Sequence, residues 1–172
     1  MSNVISLSVY KEEHYAELVS FELPGDQKSF TSLPEEVLET ALQDVNRIPV
    51  VILKDVTPIG FFVLHKHSEY ASKVGNVDAI LVRAFSINFE YQGKGYAKEA
   101  MNRLPGFVHS LFSEVNEIFL AVNEKNDAAR KLYEKAGFTD RGFRIEGPQG
   151  LQIIMHNSIN VSSMPAKMGG AE

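Results

Sequence analysis

Gln92-Gly93-Lys94-Gly95-Tyr96-Ala97 decides the reading of this chain, because of what stands on either side of it. Upstream, Ala79 to Ile87 is a largely apolar run that reads as a buried strand. Downstream, Ala97, Ala100, Met101, Leu104, Phe107, Val108, Leu111 and Phe112 fall at helical spacing. A strand therefore runs into a glycine turn, and the turn into the first coil of a helix. Such a junction presents unpaired backbone N–H groups at the positive end of a helix dipole, which suits a phosphate or pyrophosphate. Gly93 and Gly95 let the backbone take unusual φ values and approach an anion with no side chain in the way.

Two common phosphate loops do not fit. The dinucleotide fingerprint starting at Gly93 would need glycine or alanine where Lys98 stands. The phosphate loop of nucleotide hydrolases needs Ser or Thr after Gly-Lys, and here Gly95 follows Lys94. The plain alternative is an exposed loop with two turn glycines. Composition narrows the field further. With 172 residues, 44% hydrophobic and 23% charged, the chain suits one soluble domain with a sizeable core. No apolar run approaches the roughly 18 residues that span a bilayer, and Met1-Ser2-Asn3-Val4 lacks signal-peptide features, so a cytoplasmic protein with no membrane partner is expected. The absence of cysteine removes disulfides, thiolate nucleophiles and cysteine-type zinc sites. A net charge of −5 without a dense basic block argues against nucleic acid.

Taken in order, the first strand spans Val4 to Val9 and the first helix Lys11 to Phe21, broken by Pro24-Gly25-Asp26. Ser32 and Glu35 read as a capping box for a second helix carrying Val37, Leu38, Ala41, Leu42 and Val45. Ile48–Leu53 and Ile59–Leu64 form a hairpin with a loop of about five residues. After the glycine loop and third helix, which Pro105-Gly106 should kink, come a strand (Glu117 to Val122) and a helix (Asn126 to Ala136) ending at Gly137. A last hairpin joins Phe138–Ile145 to Leu151–His156, and residues 158–172 read as a flexible tail after a domain over 1–157. The order is β-α-α-β-β-β-α-β-α-β-β, an α/β (α+β) fold of about seven strands and about four helices.

Two motifs give this order a family. Gln92, Gly95 and Ala97 carry the pattern Gln/Arg-x-x-Gly-x-Gly/Ala, and Asn126, Ala129, Leu132, Tyr133, Gly137 and Phe138 carry Asn-x-x-Ala-x-x-Leu-Tyr-x-x-x-Gly-Phe. In their order and with a strand between them, they resemble the GNAT superfamily of N-acetyltransferases, whose mixed, mostly antiparallel sheet has the same element order. The resemblance is close from Asp78 to about His156 and rests on element order alone before that. It implies acetyl-CoA as co-substrate and no metal, with the pyrophosphate on Gln92, Gly93, Lys94, Gly95, Tyr96 and Ala97. By position, Phe85, Ser86 and Ile87 would pair with pantetheine through their backbones, and Asn126 would bond the pantetheine arm while capping its helix. Tyr133 is either core, as its apolar stripe indicates, or the acid that protonates the leaving thiolate, as the resemblance implies.

The implied reaction is direct attack of a primary amine on the thioester in a ternary complex. The stretch Arg83 to Ile87 with Tyr91 to Gly95 is similar to spermine/spermidine-type bacterial members, so small polyamines join other small-molecule amines and peptide amines as acceptors. A homodimer stays open. Arg83, a charge in a buried strand, is expected to meet a carboxylate or face the substrate. Two departures stand out. No Asp or Glu lies between Ala79 and Ile87, where many members keep a base glutamate, and no proline precedes the loop at Ile87-Asn88-Phe89. Asp78, Glu90, Glu22, Glu69, Tyr15, His65 and His67 are candidate bases without a preferred one. The rival reading is a non-catalytic domain that binds acetyl-CoA as a sensor or interaction module.

Overall fold

In a computed structural model that describes residues 4–159, the apolar runs form seven strands: β1 (Ile5–Val9), β2 (Arg47–Lys54), β3 (Thr57–His65), β4 (Ile80–Ile87), β5 (Glu117–Asn123), β6 (Thr139–Gly147) and β7 (Gly150–Ser158). They join one sheet in the order β1-β2-β3-β4-β5-β7-β6. Only the central β4–β5 pair is parallel, which follows from the helical crossover between those strands. The helices are α1 (Tyr15–Leu18), α2 (Gly25–Lys28), α3 (Pro34–Gln43), α4 (Tyr96–Leu111) and α5 (Asp127–Lys135). α4 continues through Pro105.

Alternation along the strands divides the core. One face carries Val50, Ile52, Phe62, Leu64, Val82, Leu120, Val122 and Met155, and packs on Ala100, Met101, Leu104 and Val108 of α4 and on Tyr133 of α5. The other face carries Val51, Phe61 and Val63 under Leu18, Leu38 and Ala41 of α1 and α3. Burying a side chain of this size contributes about 1.5–3 kcal/mol, so both helical layers are held chiefly by apolar burial.

Several expected boundaries move, each for a local reason. The β2–β3 loop shrinks to Asp55-Val56, with Lys54 paired to Thr57; Asp55 takes φ 55, a conformation that aspartate tolerates. Pro58, which has no N–H to donate, sits beside the register shift at Ile52/Leu53. The first helix is shorter than the periodicity implies, a 3-10 turn over Glu12–His14 running into α1. The extra turn α2 begins where Pro24 O accepts from the N–H groups of Gln27 (3.0 Å) and Lys28 (3.2 Å). α3 starts one residue later than expected: Pro34 takes its first position and Glu36, rather than Glu35, accepts from Leu33 N–H at 2.7 Å. β7 runs to Ser158, paired with Glu117, and Ile159 N–H donates to Asn116 O. Residues 160–172 of the expected tail lie outside the described residues.

Candidate active site

The cleft originates in a broken strand pair. β4 and β5 match only from Ile80↔Ile118 to Val82↔Leu120. Beyond Val82 the two strands part, so residues from Arg83 to Ile87 keep β3 on one side and have no strand on the other. The parting begins at a bulge: the β3–β4 register shifts between Phe61 and Val63, and Ala84 has φ 56. Left-handed geometry is costly for alanine, on the order of 1 kcal/mol, and such strain concentrates where function holds it. The gap opens into a cleft of about 910 Å³, ample for an extended ligand.

One end of the cleft is the glycine loop. Gly93 and Gly95 have φ 75 and 84, and an added Cβ at either would meet no atom within 4 Å, so dihedral angle and not space demands glycine here. Gly95 is the N-cap of α4 and supplies no side-chain cap, leaving the first-turn N–H groups without an internal acceptor. Gly93, Gly95, Tyr96, Ala97 and Lys98 all line the cleft at this positive helix end. Lys94 turns away, its Nζ donating to Glu90 O at 3.2 Å. Gln92 lines the wall, but its carboxamide is engaged elsewhere: Nε2 donates to Ile87 O (2.8 Å) and Gln27 Oε1 (2.8 Å), and Oε1 accepts from Gln27 Nε2 (2.9 Å).

The middle of the cleft joins Phe85, Ser86 and Ile87 of β4 to Asn126 and Tyr133. Asn126 caps α5 by accepting from Ala129 N–H at 3.3 Å. Phe138 N–H closes the far end of α5 on Tyr133 O at 2.9 Å, with Gly137 at φ 101. These two caps set the helix, and the helix sets Tyr133. Its ring stands edge-on to Phe85 (centroids 6.4 Å) and tilted against Phe138 (5.9 Å), and only 8% of the residue is exposed. Tyr133 is thus both core and cleft wall, so the two sequence readings are compatible. Burial alone pushes its phenol well above the ordinary value, which keeps the proton on oxygen at neutral pH. Ser86 lines the cleft, while its hydroxyl is enclosed and unpartnered.

The remaining wall comes from residues that carried no motif. Leu23, Asp26, Gln27, Phe30 and Thr31 descend from the α1–α3 connection, and Thr31 Oγ1 donates to Phe85 O at 3.0 Å. Opposite, the β6–β7 hairpin supplies Glu146, Gly147 and Pro148, tied to β5 by Asn123 Nδ2 donating to Gln149 O at 2.9 Å. None of the seven bases considered above is in the wall; its carboxylates, among the described residues, are Asp26 and Glu146. Arg83 does meet a carboxylate, Glu69 at 3.1 Å, and its Nη1 also reaches His65 Nδ1 at 2.9 Å. Arginine keeps its protons, so His65 Nδ1 must accept and Nε2 must carry the hydrogen. Burial, with Arg47 and Arg83 nearby, lowers the His65 pKa and holds it neutral. With its acceptor nitrogen occupied, His65 has no lone pair left for an incoming amine. For Glu69, burial opposes ionisation, yet a backbone hydrogen bond and Arg83 hold its pKa below the usual value.

Among the described residues, no His, Cys, Asp and Glu cluster is placed to hold a metal, and no helix is long and apolar enough to cross a membrane.

Comparison with known proteins agrees with this geometry. The acetyltransferase (GNAT) family profile matches residues 12–138. The chain is 52% identical over 158 residues to YbbJ of Bacillus subtilis strain 168, an N-acetyltransferase itself uncharacterized, covering 91% of this chain and 99% of that one. Among solved structures, the aminoglycoside acetyltransferase AAC(6')-Ib in complex with coenzyme A and kanamycin superposes with a TM-score of 0.73 at 19% identity, covering 90% of this chain and 95% of that one. Spermidine N-acetyltransferase from Vibrio cholerae, in complex with CoA and spermine, gives 0.66 at 21% identity with the same coverage. The split central strands, the glycine loop at the head of α4 and the match over residues 12–138 lead to one conclusion: this chain belongs to the GNAT family of N-acetyltransferases.

Proposed function

We propose that the protein transfers the acetyl group of acetyl-CoA to a primary amine of a small polycationic molecule, by direct attack within a ternary complex. The observation that carries this reading is the parting of β4 and β5 between an uncapped helix N-terminus and the Tyr133 phenol. The first-turn N–H groups of α4, with Gly93 and Gly95, take the pyrophosphate. The backbone of Phe85, Ser86 and Ile87, which has no strand on its β5 side, takes the pantetheine arm as an added strand would be taken, and an N–H of this stretch polarises the thioester carbonyl. Asn126 lies beside that arm. As the amine nitrogen bonds to the carbonyl carbon and the C–S bond breaks, the Tyr133 phenol gives its proton to the departing sulfur, and the proton lost from the acylated nitrogen then returns to the Tyr133 oxygen, leaving the neutral amide, the free thiol and the phenol restored. A buried phenol is a weak acid, but the same dry surroundings also raise the proton affinity of the thiolate, so donor and acceptor shift together.

The acceptor class follows from charge. Arg83 is matched by Glu69 and Arg47 by Asp44, at 3.1 Å each, whereas Asp26 and Glu146 in the cleft wall form no ion pair among the described residues. Lys98, at the cofactor end of the cleft, is the one cation of the wall without an ion pair among the described residues, so the two carboxylates outnumber it and leave the acceptor end acidic, which attracts cations. The spermidine N-acetyltransferase of Vibrio cholerae, in complex with CoA and spermine, holds a polycation of this kind.

Thiol release from acetyl-CoA with a panel of polyamines, aminoglycosides, amino acids and peptide N-termini tests the proposal. Turnover should be greatest for amines with two or more cationic groups. Acetyl-CoA binding with no turnover on any amine would replace the enzyme with a sensor, and a preference for acidic or neutral amines would overturn the charge argument.

A further inference from the structure

We propose that Gln27 is a positioning residue that makes the acceptor wall depend on how the cofactor loop is seated. The inference rests on the acetyl-CoA reading of that loop. The segment over 22–32 crosses the exit of β4 and is stapled there by four sets of hydrogen bonds. Phe89 N–H donates to Glu22 O (3.0 Å), and Glu22 N–H donates to Asn88 Oδ1 (2.8 Å). Gln27 and Gln92 exchange two bonds (2.9 and 2.8 Å), and Thr31 Oγ1 donates to Phe85 O (3.0 Å).

Three of these sets fall on ground that the sheet already fixes. Phe85 belongs to β4, and Asn88, next to Phe89, donates its own N–H to Ile59 O of β3 at 2.8 Å. Only the Gln27–Gln92 exchange falls on the glycine loop. It is also the staple nearest the middle of the segment, where α2 has a single turn and buries no residue. Apolar packing therefore does little to fix α2, and a directional contact decides its place. A reciprocal amide pair needs both heads aligned at about 2.9 Å, so a loop displacement on the order of 1 Å breaks both bonds together. Gln92 cannot turn aside to compensate, because the same Nε2 is held by Ile87 O.

An anion on the Gly93–Ala97 amides would order this loop, and Gln92 and Gln27 would pass that order to α2 and to Asp26, Phe30 and Thr31 in the wall. Acetyl-CoA thus prepares the acceptor side before the amine arrives, and by linkage the amine tightens acetyl-CoA by the same factor.

Amide hydrogen exchange of the full chain with and without acetyl-CoA tests this without knowledge of the acceptor. In the natural protein, acetyl-CoA should slow exchange about tenfold both in the loop (92–97) and in the wall segment (25–32). In Gln27→Ala the loop should still be protected, while the wall segment should no longer respond to acetyl-CoA. Gln27→Leu, which keeps the volume but makes neither bond, should behave alike. A purely structural Gln27 would change the unliganded exchange rates but leave the response to acetyl-CoA in place, and that result would overturn the inference. Protection of the loop without protection of the wall in the natural protein would also overturn it. No protection of the loop at all would overturn the acetyl-CoA reading beneath it.

Discussion

Tyr133→Phe removes one oxygen atom from the cleft and leaves the ring. The contacts with Phe85 at 6.4 Å and Phe138 at 5.9 Å belong to the ring and survive. Burial alone shifts the phenol, with no hydrogen bond or charge contributing, so the substitution strands no protein donor or acceptor. The melting temperature should therefore stay within about 2 °C of the natural protein. Loss of a general acid typically costs about 10²–10⁴ in rate, or about 3–5 kcal/mol of barrier. The expected result is a kcat lowered by at least about 100-fold with acetyl-CoA affinity unchanged, read by thiol release at saturating acetyl-CoA and by calorimetric titration. Because burial holds the phenol protonated past about pH 10, the natural protein should show no loss of rate at alkaline pH that Tyr133→Phe abolishes. An unchanged kcat would refute the acid role. A lower kcat with a melting temperature lower by about 5 °C or more would assign the effect to packing instead.

Gly95→Glu puts a carboxylate at the N-cap of α4, where φ is 84; acetyl-CoA affinity measured by calorimetry should fall more than about 100-fold, because apposed like charges cost several kcal/mol. Gly60→Ala would set a methyl 2.7 Å from Ile52 Cδ1, 2.8 Å from Ile87 Cδ1 and 3.0 Å from Ser86 O; the methyls can swing aside but the carbonyl cannot. Stability in urea should drop by about 1–3 kcal/mol, and KM for acetyl-CoA should rise because Ser86 and Ile87 border the cleft. Stability should also fall with acid in two steps. His156 is kept neutral chiefly by burial, so its pKa lies below 6.5 and the unfolded chain takes up a proton first as pH drops through that value. For Glu117, burial opposes ionisation, but Asn76, His156 and Arg141 hold its pKa below 4.5; its contribution is present above that value and lost as pH falls through the lowered one. A melting temperature that stays flat as pH falls from 7 to about 4.5 would contradict the His156 assignment, and one that stays flat on further acidification to about pH 2 would contradict the Glu117 assignment.

Much of the fold was legible because its signals are local. Tyr133, Leu132 and Ala129 declare a helix face within one segment, and Gly137 marks its end by a conformation that glycine adopts most easily. The loop was legible for the same reason: Gly93, Gly95 and the start of α4 are contiguous, and a backbone cradle needs no distant partner. Boundaries failed where competing local signals were close in strength. Ser32 and Leu33 both precede acidic residues at cap spacing, and Pro34, which has no N–H and fits the first helical position, decided between them. The β2–β3 turn failed because Asp55 accepts φ 55, which composition does not advertise.

The side of the cleft proposed for the acceptor was not legible, because no short stretch contains it. Asp26, Thr31 and Glu146 line one cleft only after β4 and β5 part and the sheet carries the hairpin opposite the α1–α3 connection. The same distance in sequence left the base without a preferred candidate. His65 and Glu69 have suitable chemistry in isolation, and Arg83, reached across the β3–β4 pair, occupies both. Gln92 shows the limit most clearly. Its place in the motif marks a cofactor loop, yet its side chain serves Gln27, a residue 65 positions away on the acceptor side. On the proposed reading, backbone motifs report the donor, since acetyl-CoA would be held largely by peptide groups. On that reading the acceptor is chosen by side chains that tertiary packing alone assembles, so charge variants at Asp26 and Glu146 should change which amine is used while leaving acetyl-CoA binding in place.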